Sequence, residues 1–167
     1  MSMHRGRGHV AFLVAAFLLA STPVVRAFDL TGTYAGKFAC KGVTTGQAGG
    51  KLSFTNETAL AVKQSASAIS LRANGASNQY VAIAIPDPKK PDDKGNIALA
   101  LCGTDDKLAS GTFDEIGRLK VSAKPGALAA KMTGFSIYSD TVAGVLTCKW
   151  SFKRTDTVIP AQSTACP

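Results

Sequence analysis

From Phe28 onward, apolar and polar residues alternate along most of the chain, most clearly in Gly144 to Arg154. There Leu146, Cys148, Trp150 and Phe152 share one face, and Val145, Thr147, Lys149, Ser151 and Lys153 share the other. A period of two with one apolar face is the pattern of a β-strand whose sheet is buried on one side. Leu30 to Lys41 repeats it, with Tyr34, Gly36, Phe38 and Cys40 on one face and Thr33, Ala35, Lys37, Ala39 and Lys41 on the other.

Between these two segments the same signal recurs in short runs. Lys51 to Thr55 and Ala59 to Gln64 read as two strands, or as one broken near Asn56. Ala68 to Arg72 and Gln79 to Ile85 flank Asn74-Gly75, a pair suited to a tight hairpin because both residues tolerate positive φ. Pro86 to Lys94 is a charged, proline-punctuated loop that no sheet interior would hold. Asn96 to Cys102 is apolar on both faces. Leu108 to Phe113 and Arg118 to Ala123 suggest a hairpin around Asp114 to Gly117. Ala127 to Lys131 suggests one helical turn, and Met132 to Ser139 with Val142 to Arg154 a last hairpin turning near Asp140.

Eight to ten short strands with almost no helix predict an all-β domain, either a sandwich or a barrel. Closure leaves no unpaired edge, so the expected fold is a closed antiparallel up-and-down barrel of about eight strands.

The segment before Phe28 breaks the alternation. Met1 to His9 is basic through Arg5 and Arg7, Val10 to Ala20 is wholly apolar, and Ser21 to Ala27 ends in Val-Arg-Ala. These are the three regions of a secretory signal peptide, and the apolar run is shorter than the twenty or so residues needed to span a bilayer. The reading is therefore a leader over residues 1–27, followed by one barrel domain over 28–167 with an irregular C-terminal tail. Cleavage places the mature chain in the periplasm or outside the cell, with no membrane-spanning segment.

Loss of the leader changes the available chemistry. Arg5, Arg7 and Arg26 leave with it, so 16 basic residues face 11 acidic ones, a net charge of +5. Both histidines, His4 and His9, leave as well. Without imidazole there is no Ser-His-Asp or Cys-His nucleophile and no His-ligated metal. The four cysteines, Cys40, Cys102, Cys148 and Cys166, all remain. An even number in an exported chain points to two disulfides, and their spacing matches no zinc motif. Three connectivities are open.

One of them fits the strand pattern. If the first and last strands are antiparallel neighbours, Cys40 can face Cys148, which sets Phe38 beside Trp150, Gly36 beside Phe152 and Tyr34 beside Arg154. Aromatic then meets aromatic, glycine makes room for Phe152, and Arg154 can stack on Tyr34. Cys102 and Cys166 would form the second bridge.

Leu30-Thr31-Gly32-Thr33-Tyr34 resembles the first-strand signature of avidin and lipocalin barrels, in which Gly-x-Trp opens the barrel and a late Arg packs on the ring. Tyr34 stands in the Trp position, and Arg154 would take the arginine role. The resemblance implies a calycin-type barrel; avidin-type biotin sites use several Trp, and this chain has Trp150 alone after the leader. A second analogy is to periplasmic protease inhibitors built on a similar small barrel. Their N-terminal arm has only Phe28 and Asp29 as a counterpart here.

Three groups of residues are candidates for function. Tyr34, Phe38, Trp150 and Phe152 could line a cavity for a small apolar ligand, or simply fill the core. Lys37, Lys41, Lys149 and Lys153 fall on the outer wall and could meet an anionic partner, or merely keep it solvated. Nucleic acid is disfavoured as that partner, because the aromatics lie on the other face. Ala82, Ala84, Ala98 and Ala100 form a small-residue face that could leave that cavity open on one side, or be a subunit contact if it points outward.

Asp87, Asp92, Asp93, Asp105 and Asp106 do not follow a calcium-loop pattern. Asp114 and Glu115 are neighbours in an expected turn, not opposed acids across a cleft. No metal, cofactor or catalytic residue is therefore assigned. The expectation is an exported, non-catalytic binding protein for a small apolar or anionic ligand or a protein partner. The alternative is a periplasmic inhibitor of a protease or other hydrolase.

Overall fold

A computed structural model describes residues 28–43, 49–74, 78–103, 113–124, 127–140 and 144–158. The proposed leader and the tail with Cys166 lie outside them. The described chain forms β1 Gly32–Val43, β2 Lys51–Ser65, β3 Ala68–Asn74, β4 Gln79–Pro86, β5 Lys94–Gly103, β6 Phe113–Ala123, β7 Ala130–Asp140 and β8 Gly144–Asp156. Each strand pairs antiparallel with the next, and β8 returns to β1, giving a closed eight-stranded barrel. No helix among the described residues is long and apolar enough to cross a membrane.

The closing seam has the register that the alternation predicts. Cys40 pairs with Cys148, Phe38 with Trp150, Gly36 with Phe152 and Tyr34 with Arg154. Cys40 and Cys148 are disulfide-bonded across 108 residues. Gly36 is required at its place because a Cβ would collide with the Ser151 carbonyl oxygen and lie 2.7 Å from the Phe152 Cα. Cys102 is also disulfide-bonded, and its expected partner Cys166 is outside the described residues.

Inward-facing residues make the core. Leu60, Val62, Leu71, Ile97, Leu119, Met132, Leu146, Trp150 and Phe152 are all buried, each the alternate residue of its strand. Burial of this much apolar surface is the main favourable contribution to folding.

Several local expectations change. Residues 51–65 form one continuous strand, because the alternation runs through Asn56 and β1 pairs along most of its length. Asp114 to Gly117 is not a turn: it lies inside β6, with Glu115 and Gly117 inward and Asp114 and Ile116 outward. A Cβ at Gly117 would lie 2.8 Å from the Ser136 Cβ, so this glycine serves close β6–β7 approach and not a bend. Residues 127–129 form no helical turn; a single bond from Ala127 N to Lys124 O precedes β7. The Asn74-Gly75 turn falls at residues outside the description.

The end of the barrel where β1 begins is plugged. Phe28 and Leu30 precede β1 and are fully buried. Phe28 N donates to Pro91 O at 3.3 Å, and Leu30 N donates to Gln64 Oε1 at 3.0 Å. Arg154 reaches across this floor. Its guanidinium donates to the carbonyls of Asp29 at 2.9 Å, Thr31 at 3.1 Å and Leu128 at 3.0 Å, and also to Ala127 O. Tyr34 Oη donates to Leu30 O at 2.9 Å. One buried cation and one phenol thus hold the plug through hydrogen bonds to backbone carbonyls.

Candidate functional site

The other half of the barrel interior is different in kind. Alternation along β4, β6, β7 and β8 turns Tyr80, Glu115, Ser136 and Trp150 inward, and all four are buried. Tyr80 Oη donates to Glu115 Oε2 at 2.8 Å, and the Ser136 hydroxyl donates to Glu115 Oε1. Trp150 Nε1 donates to Ser136 Oγ at 2.8 Å, and Asn78 Nδ2 donates to Tyr80 Oη at 3.4 Å. Asn78 Oδ1 is buried with no partner. Such networks are costly when any member is unsatisfied, because the interior cannot replace water for it.

Burial dominates the electrostatics. It pushes the Glu115 carboxyl above the usual glutamate range, although bonds from Ser136, Tyr80 and Trp150 pull the other way. The Tyr80 phenol is also raised, first by burial and then by the neighbouring Glu115. At the plugged end the Tyr34 phenol is raised by burial against the opposing pull of Arg154.

Above this network lie Phe38, Leu52, Leu101 and Tyr138, which are only partly buried and pack against the core. The end of the barrel away from the plug, where these four side chains are less covered than the core, is its mouth.

Neither a family model, a curated protein nor a solved structure matches this chain. The closed eight-stranded antiparallel barrel is consistent with a calycin-type fold in general, and the site stands on its own geometry.

The structure divides the expected apolar set. Phe38, Trp150 and Phe152 form one cluster, with ring centroids 4.4 Å apart for Phe38–Trp150, 5.0 Å for Phe38–Phe152 and 5.8 Å for Trp150–Phe152. Tyr80 extends it, 5.4 Å from Trp150. Tyr34 stands apart, at the plug.

Lys37, Lys41, Lys149 and Lys153 are all exposed on the outer wall of β1 and β8. Lys37 lies opposite Ser151 on β8, between Lys149 and Lys153, and opposite Glu57 on β2. A shallow open groove runs past Lys37, Glu57, Ser151 and Lys153. The carboxylate reduces the positive character of that groove.

The alanines do not share a face. Ala82 and Ala84 point inward, whereas Ala98 and Ala100 point outward, beside Ile83 and Val81 respectively. Among the described residues no group of three or more His, Cys, Asp or Glu could hold a metal ion.

Glu115, Tyr80, Ser136 and Asn78 were not candidates on sequence grounds. The one available signal was parity: once β6 runs unbroken from Phe113, Glu115 must share the face of Leu119 and Val121.

Proposed function

We propose that this protein is an exported, non-catalytic binding protein that seats a small, largely apolar ligand in the barrel mouth. One observation carries the reading: the two halves of the interior differ. One end is filled and tied off by Phe28, Leu30 and Arg154, while the other holds the Glu115 network beneath half-exposed aromatic and aliphatic side chains. A domain that needed only a core would gain more from apolar residues at positions 80, 115 and 136, since a buried polar network rarely improves on good packing. Sites of mostly apolar lining with a few convergent polar groups are the usual form of small-molecule pockets. The leader and the disulfides support an oxidising, extracytoplasmic compartment.

Native mass spectrometry of the protein purified from its own source tests this. The expected result is a low-mass adduct that is lost on denaturation. The bare chain mass in every native preparation would count against the reading.

The inhibitor reading is favoured by one feature only. The 51–57 stretch of β2 pairs with β1 on one side, while β3 pairs only from Ala59 onward, so among the described residues its other edge is unpaired. A strand edge of this kind can accept a peptide by β-addition. Co-purification of a hydrolase, without a small ligand, would favour it over the mouth.

A further inference from the structure

The hydrogen bonds of Trp150, Ser136, Asn78 and Tyr80 run in one direction. Trp150 donates to Ser136 and Ser136 to Glu115; Asn78 donates to Tyr80 and Tyr80 to Glu115. Both chains end on one carboxylate. An ionised carboxylate is an acceptor only and has room for about four hydrogen bonds, so it suits both chains and still has capacity left. A protonated one would add a donor that neither chain uses.

Burial works against that ionised form, as the upward shift of the Glu115 carboxyl shows. A nearby cation would offset the burial. Among the described residues the barrel supplies none at this end. Lys37, Lys41, Arg118, Lys120, Lys149 and Lys153 face outward on their strands. Arg154, the one buried cation, lies at the plug with its guanidinium engaged by four carbonyls. The mouth also holds a second acceptor with no donor, Asn78 Oδ1. Among the described residues, then, no cation faces Glu115 and no donor meets Asn78 Oδ1.

We propose that the ligand of the mouth is an organic amine: a protonated ammonium group that donates to Glu115 and Asn78 Oδ1, carried on an apolar body that lies against Phe38, Leu101 and Tyr138. The proposal rests on the mouth being a ligand site and adds the ligand's charge. A primary or secondary ammonium fits better than the other cations. A quaternary ammonium has no N–H to give to the two acceptors. A hard metal ion needs several oxygen ligands, and one carboxylate with one amide oxygen falls short. A neutral alcohol could serve Asn78 but would leave the buried carboxyl without its counter-charge.

The test compares three probes of one shape, 2-phenylethylamine, 2-phenylethanol and 3-phenylpropionate. After the leader the chain has one tryptophan, so the fluorescence of Trp150 reports on the site directly. The expected result is that the amine binds about tenfold or more tighter than the alcohol, with the carboxylate weakest, as a charge-assisted pair in a buried site implies. In Glu115→Gln that preference disappears while alcohol affinity is kept. Equal affinity for amine and alcohol in the wild type, a comparison that needs no variant, would overturn the proposal. So would an amine preference that survives in a folded Glu115→Gln. If none of the three probes binds, the mouth itself is refuted as a ligand site, and the amine proposal falls with it.

Discussion

Glu115 is where opposing electrostatic effects meet in one side chain. Bonds from Ser136 and Tyr80 favour its charged form, burial favours its neutral form, and burial is the larger. A carboxyl with a raised folded pKa binds its proton more tightly in the native state than in the unfolded chain. Stability from this group is then fully present at low pH and is lost as pH rises through the folded value. Glu115→Gln lacks that titration, so the stability difference between variant and wild type should move in the variant's favour as pH climbs past the ordinary glutamate range, then level off. Denaturant unfolding of both proteins across pH measures it. A difference that stays flat, or moves toward the wild type, would mean that the hydrogen bonds outweigh burial. This residue was illegible in the sequence for a physical reason. Asp114-Glu115-Ile116-Gly117 has the composition of a turn, and only close packing between β6 and β7 makes extended backbone the better use of Gly117.

At the scale of strands, the β1–β8 seam was legible because both partners carry an uninterrupted alternation, and because cysteine, glycine and aromatic residues constrain one register together. Cys40 opposite Cys148 and Gly36 opposite Phe152 follow from parity alone once the strands are neighbours. β2 was less legible, since Asn56 to Thr58 is polar on both faces and reads as a break. Pairing with β1 carries the strand through it. The seam disulfide closes a separation of 108 residues, for which the chain-entropy model gives about 4 to 5 kcal/mol. Replacing both cysteines, as in Cys40→Ala with Cys148→Ala, should lower the unfolding free energy by a few kcal/mol and leave the β-sheet circular dichroism unchanged. Loss of the sheet signal at low denaturant would show that the bridge is needed to close the barrel, while no change in the midpoint would show that the seam holds through Phe38, Trp150 and Phe152 alone.

At the scale of the molecule, the described residues form a barrel with two unlike ends. Arg154 and Tyr34 seal one with bonds to backbone carbonyls, and Glu115 organises the other beneath Phe38, Leu101 and Tyr138. The outer wall is divided as well. Lysines cover β1 and β8, while Val81, Ile83, Ile116, Phe135 and Ile137 stay exposed along β4, β6 and β7. The barrel class was readable from strand count and spacing. The difference between its ends was not, because it depends on which inward positions share a height in the barrel, and that is fixed by strand stagger.

The mouth can be tested with backbone and side-chain NMR during a titration with 2-phenylethylamine. Trp150 Nε1–H marks the mouth, the Asn78 side-chain amide marks its unpartnered acceptor, and Arg154 Nε–H marks the plugged end. Binding in the mouth should move the Trp150 indole and Asn78 amide signals together and leave Arg154 in place. Shifts confined to the outer wall around Lys37 and Lys153, or no shift at the Trp150 indole at saturating amine, would contradict a ligand seat over Glu115.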